Sequence, residues 1–341
     1  MFIDSIVQNI LHPPVMFFIL GLLSVALRSN LEIPPQISKA LSLYLLFDIG
    51  LHGGEALFKS GLDPHMVVMM LVCMTASFIM PFVIYKVLRL KFQPHDASAL
   101  AATYGSVSAV TFATAVSFLG SQHQPFSGYM VACMALMESP AIIAGLLLFQ
   151  LSKSQFNQSQ FKTSTTPNAL MPQPQGRSIH LKAVLHEAFF NGSVLLLIGS
   201  LVIGVLGGKQ GAEELKPFVD DIFKGVLSIY MLDMGIIAAK RFSDFKQSSG
   251  FLITFGLVFP VLSSLLALGV GHLLHLHIGD ALLLMVLFAS ASYVAVPAAM
   301  RNAIPQANMS LLLPTALGVT FTFNVMLGIP LYFYLLTRLS N

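Results

Sequence analysis

The sequence predicts an all-α membrane protein with ten transmembrane helices. Of its 341 residues, 55% are hydrophobic and only 10% are charged, and the mean hydropathy is +0.79. A soluble domain carries roughly 25% charged residues, so lipid must form part of the surroundings of this chain. A spanning helix uses about 20 apolar residues, and ten of them fit this length with short loops. The apolar runs are too long for the alternating ten-residue strands of a membrane β-barrel.

Ten hydrophobic segments carry this prediction. Each is followed by a short polar or charged stretch, and the first is the shortest, although the apolar residues at 6–11 could extend it. The segments are residues 14–27, 37–58, 66–88, 97–119, 126–151, 184–206, 222–239, 251–274, 281–299 and 310–336.

A polar stretch divides the ten segments into two groups of five. Residues 152–182 are rich in Ser, Gln, Asn, Thr and Pro, and such a composition cannot bury enough apolar surface to fold alone. We therefore expect three parts: a first five-helix repeat at 1–151, a flexible linker at 152–182 and a second five-helix repeat at 183–341.

The distribution of Lys and Arg predicts the orientation, because cytoplasmic loops carry an excess of both. With the N-terminus outside, the cytoplasmic loops and flanks hold 13 of these residues and the external ones hold 5. Both termini are therefore expected outside, and the linker is expected in the cytoplasm.

Two halves with an odd number of helices must be inverted relative to each other if they are repeats. The tetrapeptide Leu-Ser-Leu-Tyr at 41–44 matches Leu-Ser-Ile-Tyr at 227–230, and Asp-Ile-Gly at 48–50 matches Asp-Met-Gly at 233–235. Gly-Ser-Val-Ser at 105–108 resembles Ala-Ser-Ala-Ser at 289–292. Because each pair falls in corresponding segments, we predict inverted repeats, which many secondary transporters use.

The fourth and ninth segments hold the candidate binding residues. Both combine small hydroxyl residues with Gly or Pro, which weaken a helix and free backbone groups inside a protein-lined cavity. Half-helix N-termini attract an anion. The alternative is ordinary close packing of helices through small residues. The candidates are Gly105, Ser106, Ser108, Thr111, Ser290, Ser292 and Tyr293.

Asp48, Asp233 and Glu138 are ionisable residues within apolar segments. A charge at that depth costs about 3 kcal/mol on insertion scales, so such residues usually face water or a partner. Glu138 precedes Ser139 and Pro140, a predicted helix break. All three are candidates for ion coupling, with hydration near a helix end as the alternative for Asp48 and Asp233.

Other functions find less support. The net charge of +3 is too small to indicate nucleic-acid binding, and the sequence lacks a nucleotide-binding Gly-Lys-Ser/Thr loop and a Gly-x-Ser-x-Gly motif. We therefore expect neither an enzyme nor an ATP-driven pump, and no cofactor. His272, His275, His277 and Asp280 form an external cluster that we interpret as a hydrated loop and not a metal site.

With these residues in view, the chain resembles the sodium-dependent bicarbonate transporter superfamily, of the cyanobacterial high-affinity permease type, over nearly its whole length. The resemblance rests on Gly-Ser-Val-Ser-Ala-Val-Thr at 105–111, Met-Glu-Ser-Pro-Ala at 137–141, Gly-Val-Leu-Ser at 225–228 and Ser-Ala-Ser at 290–292. Its most specific part is Arg-Asn-Ala-Ile-Pro-Gln-Ala-Asn at 301–308.

The resemblance implies a core that moves against a gate, homotrimers, and sodium-coupled uptake of bicarbonate across the bacterial plasma membrane. The family pattern has an Asp where this chain has Tyr293, and an Asp where it has Glu138. Loss of the carboxylate at Tyr293 removes a hard oxygen ligand that sodium prefers. A proton-coupled carrier of another small anion therefore stays open as an alternative, as does an intramembrane enzyme or binding protein.

The charge distribution predicts the outcome of a labelling experiment. Single cysteines placed in the linker at 152–182 should resist an impermeant thiol reagent in intact cells, because the linker is expected in the cytoplasm. Cysteines at Lys59 or Lys216 should react, and they serve as the external control. Ready labelling of the linker would overturn the predicted orientation.

Overall fold

The computed structural model describes residues 2–61, 63–163, 192–244 and 250–339. These ranges are helical and contain no β-strand. The helices are α1 (Phe2–Ile10), α2 (Pro13–Ala26), α3 (Pro35–Ser60), α4 (Pro64–Leu88), α5 (Pro94–Gly105), α6 (Ala109–Ser121), α7 (Tyr129–Thr163), α8 (Gly192–Gly211), α9 (Glu213–Arg241), α10 (Gly250–Leu273), α11 (Ile278–Ala289), α12 (Ala295–Ala303) and α13 (Met309–Leu339).

Local sequence explains several helix boundaries. Proline occupies the first turn of α2, α3, α4 and α5, where its missing N–H costs no hydrogen bond and its fixed φ suits a helix. The Asp63 carboxylate caps α4 by accepting a hydrogen bond from the His65 N–H at 3.1 Å. Helices α8 and α9 belong to one helical run, Gly192–Asp244, which has a kink in the last turn of α8 at Gly208. Its φ of 52° and ψ of −143° suit a residue without a Cβ.

Within the described ranges, seven helical spans are long and apolar enough to cross a membrane: α4, the α5–α6 pair, α7, α8, α9, α10 and α13. The chain is therefore a multi-pass membrane protein. The three other predicted segments lie on shorter or more charged helices. Helix α2 has 14 residues, α11 has 12, and α3 carries Lys39, Asp48, Glu55 and Lys59.

The predicted linker is only partly described. Its first residues continue α7 as helix up to Thr163, where the sequence had predicted a flexible segment from residue 152. The remainder, residues 164–182, lies outside the described part of the chain, as does the start of the sixth hydrophobic segment.

Glycines allow two close helix pairs. A methyl group on Gly235 of α9 would overlap the Phe18 carbonyl oxygen of α2 and lie 3.0 Å from the Gly21 Cα. A methyl group on Gly204 of α8 would lie 3.0 Å from the Gly54 Cα of α3. The backbones of α2 and α9, and of α3 and α8, are therefore in direct contact, as at other small-residue interfaces in membranes.

Helices α3 and α9 also pack against each other. The Tyr44 hydroxyl donates to the Phe218 carbonyl at 2.5 Å, and His52 Nε2 lies 2.6 Å from Asp220 Oδ1. The four helices therefore form one layer in the order α2, α9, α3, α8, which we call the panel.

The remaining long helices form a second unit, which we call the bundle: α4 to α7 and α10 to α13. Polar bonds tie it together inside. The Ser77 hydroxyl of α4 donates to the Met137 carbonyl of α7. The Tyr104 hydroxyl of α5 lies 2.6 Å from Thr320 Oγ1 of α13, which donates to the Gly256 carbonyl of α10 at 2.8 Å. The bundle buries α5, α6 and α11 almost completely.

The glycine contact between α2 and α9 generates a stability prediction. Gly235→Ala should destabilise the protein by about 1–3 kcal/mol, because the added methyl overlaps backbone that cannot rotate away. Gly225→Ala on the same helix is the matched control, since a methyl there meets nothing within 4 Å. Thermal unfolding in detergent distinguishes the two, and equal stability of both variants would contradict the proposed packing.

Candidate anion-binding site

The first feature of the site is an interruption between α5 and α6. Helix α5 ends at Gly105, and Ser106 is extended with φ −93° and ψ −178°. Ser108 then caps α6, where its hydroxyl oxygen accepts a hydrogen bond from the Thr111 N–H at 3.2 Å. The fourth hydrophobic segment is thus two half-helices, and the second begins with its N-terminus inside the protein.

A second interruption separates α11 from α12. Helix α11 ends at Ala289, and Ser290 is extended with φ −86° and ψ 168°. The Ser292 hydroxyl oxygen accepts from the Val296 N–H at 3.3 Å. The Asn324 side chain of α13 donates to the Ala289 carbonyl at 2.8 Å, which satisfies one acceptor at the end of α11.

The two interruptions are in contact. The Ser108 N–H donates to Ser290 Oγ at 3.1 Å, and the Ser292 N–H donates to the Thr103 carbonyl at 2.9 Å. Each stretch of extended backbone therefore satisfies part of the other. These bonds join residues that are 182 positions apart in the first case, so the contact brings the two halves of the chain together.

A small cavity of about 50 Å³ lies beside the interruptions. Ala109 and Val110 at the start of α6 line it, as does Ala295 at the start of α12. Among the described residues, the N–H groups of these three make no hydrogen bond. Two helix N-termini with free donors thus face one cavity, an arrangement that favours an anion.

Glu138 of α7 and Tyr293 also line this cavity. Within the described ranges, Glu138 Oε1 has no hydrogen-bond partner, and the Tyr293 hydroxyl makes no well-formed bond although it lies near the Ser108 side chain. A buried polar atom without a partner is costly, and a bound ion or water would remove that cost. No Lys, Arg or His is among the residues that line the cavity in the described part of the chain.

The other predicted binding residues surround this cavity without lining it. Gly105 packs against Pro81 of α4, so its small size serves helix packing. The hydroxyls of Ser106 and Thr111 are buried and have no partner in the described ranges. Ser290 is not among the residues that line the cavity, and its hydroxyl oxygen accepts a hydrogen bond from the Ser108 N–H.

Asp48 and Asp233 lie outside the cavity. Asp48 Oδ2 is 3.4 Å from His52 Nδ1, and the same imidazole reaches Asp220 at 2.6 Å, beside an outer cavity of about 400 Å³. Asp233 faces Ser38 and lines a different, larger cavity. The structure therefore separates these two residues from Glu138, which lines the cavity itself.

The cavity that Asp233 lines is a vestibule of about 490 Å³ between the panel and the bundle. It shares four lining residues with the small cavity: Ser42, Ser193, Tyr293 and Val294. Its mouth is charged, because Lys39, Lys240, Arg241 and Glu32 line it. The vestibule thus leads from a basic surface to the helix interruptions.

The structure adds functional candidates that the sequence analysis missed. Ser42 and Ser193 line the small cavity from the panel, and Asn324 caps α11. Ser42 belongs to the repeated tetrapeptide at 41–44, which could have indicated it. Asn324 is a buried amide in an apolar segment, a residue type that forms hydrogen bonds between membrane helices.

The interpretation of Asp280 as part of a hydrated external loop is wrong. This residue is buried rather than hydrated, because it accepts hydrogen bonds from the Ser127 N–H at 2.6 Å, the Ser127 hydroxyl at 2.7 Å and the Tyr129 hydroxyl at 3.1 Å. It anchors the loop before α7. The described residues contain no group of three or more His, Cys, Asp or Glu side chains placed to hold a metal ion.

The sequence matches one known protein family. The family model described as Na+-dependent bicarbonate transporter superfamily matches residues 13–337, nearly the whole chain. A search of curated proteins found no match.

The capping role of Ser108 generates a prediction. Ser108→Ala should lower the free energy of unfolding by about 1 kcal/mol through loss of the N-cap, and should also weaken binding of a small anion, because α6 loses the order of its first turn. Ser117→Ala on the same helix is the control, since that buried hydroxyl has no partner among the described residues. Thermal unfolding and anion titration measure both effects, and normal anion affinity in Ser108→Ala would contradict the assignment.

Proposed function

Because the chain belongs to the Na+-dependent bicarbonate transporter superfamily, we propose that it is a secondary active transporter that carries bicarbonate in symport with sodium. The observation that carries this proposal is the convergence of two helix N-termini on one small cavity. Membership in a transporter family is consistent with a protein that is not an enzyme.

The cavity suits a small, singly charged anion. Each helix N-terminus carries about half a unit of positive charge, and the free N–H groups and Ser hydroxyls supply hydrogen-bond donors. A fully charged Lys or Arg would hold the anion tightly and slow its release, and none lines the cavity within the described ranges. The volume of about 50 Å³ accommodates an ion of a few heavy atoms and excludes large organic anions.

We propose ten membrane crossings in two inverted repeats, at 1–151 and 183–341, joined by a cytoplasmic linker. Reciprocal packing supports this architecture: α2 of the first half packs on α9 of the second, and α8 of the second packs on α3 of the first. The interruptions, one in each half, also contact each other. A pseudo-two-fold axis in the membrane plane would produce both features.

Alternating access follows from this architecture. The panel corresponds to the gate and the bundle to the core, and the vestibule opens between them on the side where Lys39, Lys240 and Arg241 lie. We propose that this side faces the cytoplasm, because cytoplasmic loops carry an excess of basic residues, and that both termini lie outside. We propose the bacterial plasma membrane as the location. The homotrimer implied by the resemblance stays a prediction.

Glu138 is the proposed coupling residue. It is a carboxyl group in the cavity wall with one free oxygen, so it can supply a ligand for sodium together with backbone carbonyls of the interrupted helices. A second candidate for the coupling mechanism is proton coupling. Tyr293 favours it, because this side chain lines the cavity but supplies no carboxylate ligand for sodium. Protonated Glu138 would then enter the cycle beside the anion. Asp48, which lies beside His52, and Asp233, which lines the vestibule, are secondary coupling candidates.

Uptake of labelled bicarbonate into proteoliposomes tests this function. Wild-type protein should accumulate the label when an inward sodium gradient is imposed at constant pH, because the gradient drives symport. A response to a proton gradient alone would favour proton coupling. Absence of gradient-driven accumulation of any small anion would contradict the transporter assignment, since an enzyme or a binding protein does not concentrate its ligand.

The role of Glu138 is tested in the same assay. Glu138→Gln should express and assemble normally but lose dependence of uptake on the coupling cation, because the amide carries no negative charge. Glu55→Gln is the control, since that carboxylate pairs with Lys59 at 2.5 Å outside the cavity. Unchanged cation dependence of uptake in Glu138→Gln would contradict the coupling role and show that Glu138 is purely structural.

A further inference from the structure

The panel and the bundle are in direct backbone contact on the side opposite the vestibule. A methyl group on Gly128, just before α7, would overlap the Gly53 carbonyl oxygen of α3 and lie 2.8 Å from the Ala56 Cβ and the Leu57 N. A methyl group on Gly53 would lie 2.7 Å from the Val131 Cβ of α7. We call this contact, formed by Gly53, Gly128 and Val131, the outer seam.

Two adjacent glycines of α3 have different neighbours. Gly54 lies against α8, where a methyl group would overlap the Leu201 carbonyl oxygen and approach the Gly204 Cα at 2.8 Å. Gly53 instead lies against α7 of the bundle. Helix α3 is therefore held within the panel by one glycine while the next glycine meets the bundle, so the seam lies between two separate bodies.

The bundle side of the seam is rigidly held. Asp280 at the start of α11 accepts hydrogen bonds from the Ser127 N–H and hydroxyl at 2.6 and 2.7 Å. A methyl group on the neighbouring Gly279 would overlap the Pro125 carbonyl oxygen, which shows how closely the loop follows α11. Gly128 therefore moves with α11, whose C-terminal end forms one of the two helix interruptions.

The opposite side of the same boundary is open. The vestibule of about 490 Å³ is lined by Asp233 of the panel and by Leu313 and Leu317 of the bundle, and it reaches Val294 at the interruption. The structure thus shows one side of the panel–bundle boundary closed by backbone contact and the other side open to the site.

We propose that the Gly53–Gly128 seam is the outer gate of the anion path, and that its separation gives the outward-facing state. This inference rests on the proposed transport function. Closure requires glycine at position 128, because any side chain there meets backbone that cannot rotate away. A methyl group at Gly128 should therefore disfavour the closed seam and shift the population toward the outward-facing state.

Accessibility of a cysteine at Val294 tests the gate without measuring transport. Val294 is 55% exposed and lines both the small cavity and the vestibule, whereas the native Cys73 and Cys133 are buried. Val294→Cys should react with an impermeant thiol reagent faster from the inner face, in inside-out vesicles, than from the outer face, in intact cells. Adding Gly128→Ala should raise the outer-to-inner ratio of labelling rates by roughly tenfold, the shift expected when overpacking disfavours one of two states.

Gly120→Ala is the matched control, because it adds the same methyl group at the end of α6, where nothing lies within 4 Å. It should leave the labelling ratio at the wild-type value. An unchanged ratio in Gly128→Ala, with normal yield of folded protein, would overturn the proposed gate.

A cross-link provides a second test that does not depend on folding of the Gly128 variant. A Cβ added at Gly53 would lie 2.7 Å from the Val131 Cβ, about 1 Å closer than in a typical disulfide, so the pair Gly53→Cys and Val131→Cys should oxidise after a small adjustment. The oxidised protein should label Val294→Cys only from the inner face, and reduction should restore outer labelling. Outer labelling that persists after oxidation would contradict the gate.

The labelling results and the uptake results fail independently. If the labelling shifts occur as expected but the protein accumulates no bicarbonate, the result supports the proposed gate and contradicts the proposed substrate. If the protein accumulates bicarbonate but shows no labelling shift, the result supports the proposed transport function and contradicts the proposed gate.

Discussion

The constraint on which the structure depends is that backbone N–H and C=O groups inside a membrane protein must find partners within the protein. Two hydrophobic segments are interrupted deep inside the bundle, and each interruption exposes such groups. They are satisfied largely by each other, through Ser108 to Ser290 and Ser292 to Thr103, and by Asn324 at the end of α11. Residues at the starts of α6 and α12 line one cavity, and their free N–H donors are the reason why we propose that an anion binds there.

Different interactions hold the helices together in the panel and in the bundle. In the panel, glycines bring helix backbones into contact, as between Gly21 and Gly235, and dispersion forces replace the hydrophobic effect that lipid cannot supply. In the bundle, the half-helices are shielded from lipid by neighbouring helices and cross-linked by polar side chains such as Tyr104 and Thr320. A rigid panel beside a separately tied bundle leaves their common boundary as the natural place for movement. The closed seam and the open vestibule both lie on that boundary.

Much of this arrangement is predictable from the sequence, and particular residues show why. The membrane environment follows from the scarcity of charge, and the all-helical class follows from the length of the apolar runs. The interruptions follow from Gly105 and Pro297 near paired serines in corresponding segments. The small cavity was harder to predict, because Ser42 and Ser193 reach it from segments that carry no break signal. Asp280 was interpreted as hydrated, since a carboxylate in a loop usually is; its partners, Ser127 and Tyr129, lie over 150 positions away. The outer seam could not be predicted either, because the sequence does not show which backbone segment approaches a glycine.

The most direct test of the central claim is a high-resolution cryo-EM comparison of the protein in lipid nanodiscs with and without bicarbonate. We predict added density in the small cavity, within hydrogen-bond distance of the N–H groups of Ala109 and Ala295 and of the Ser108 hydroxyl. Density for the anion at another place, with this cavity unchanged between the two maps, would contradict the claim that the paired helix interruptions bind the transported anion.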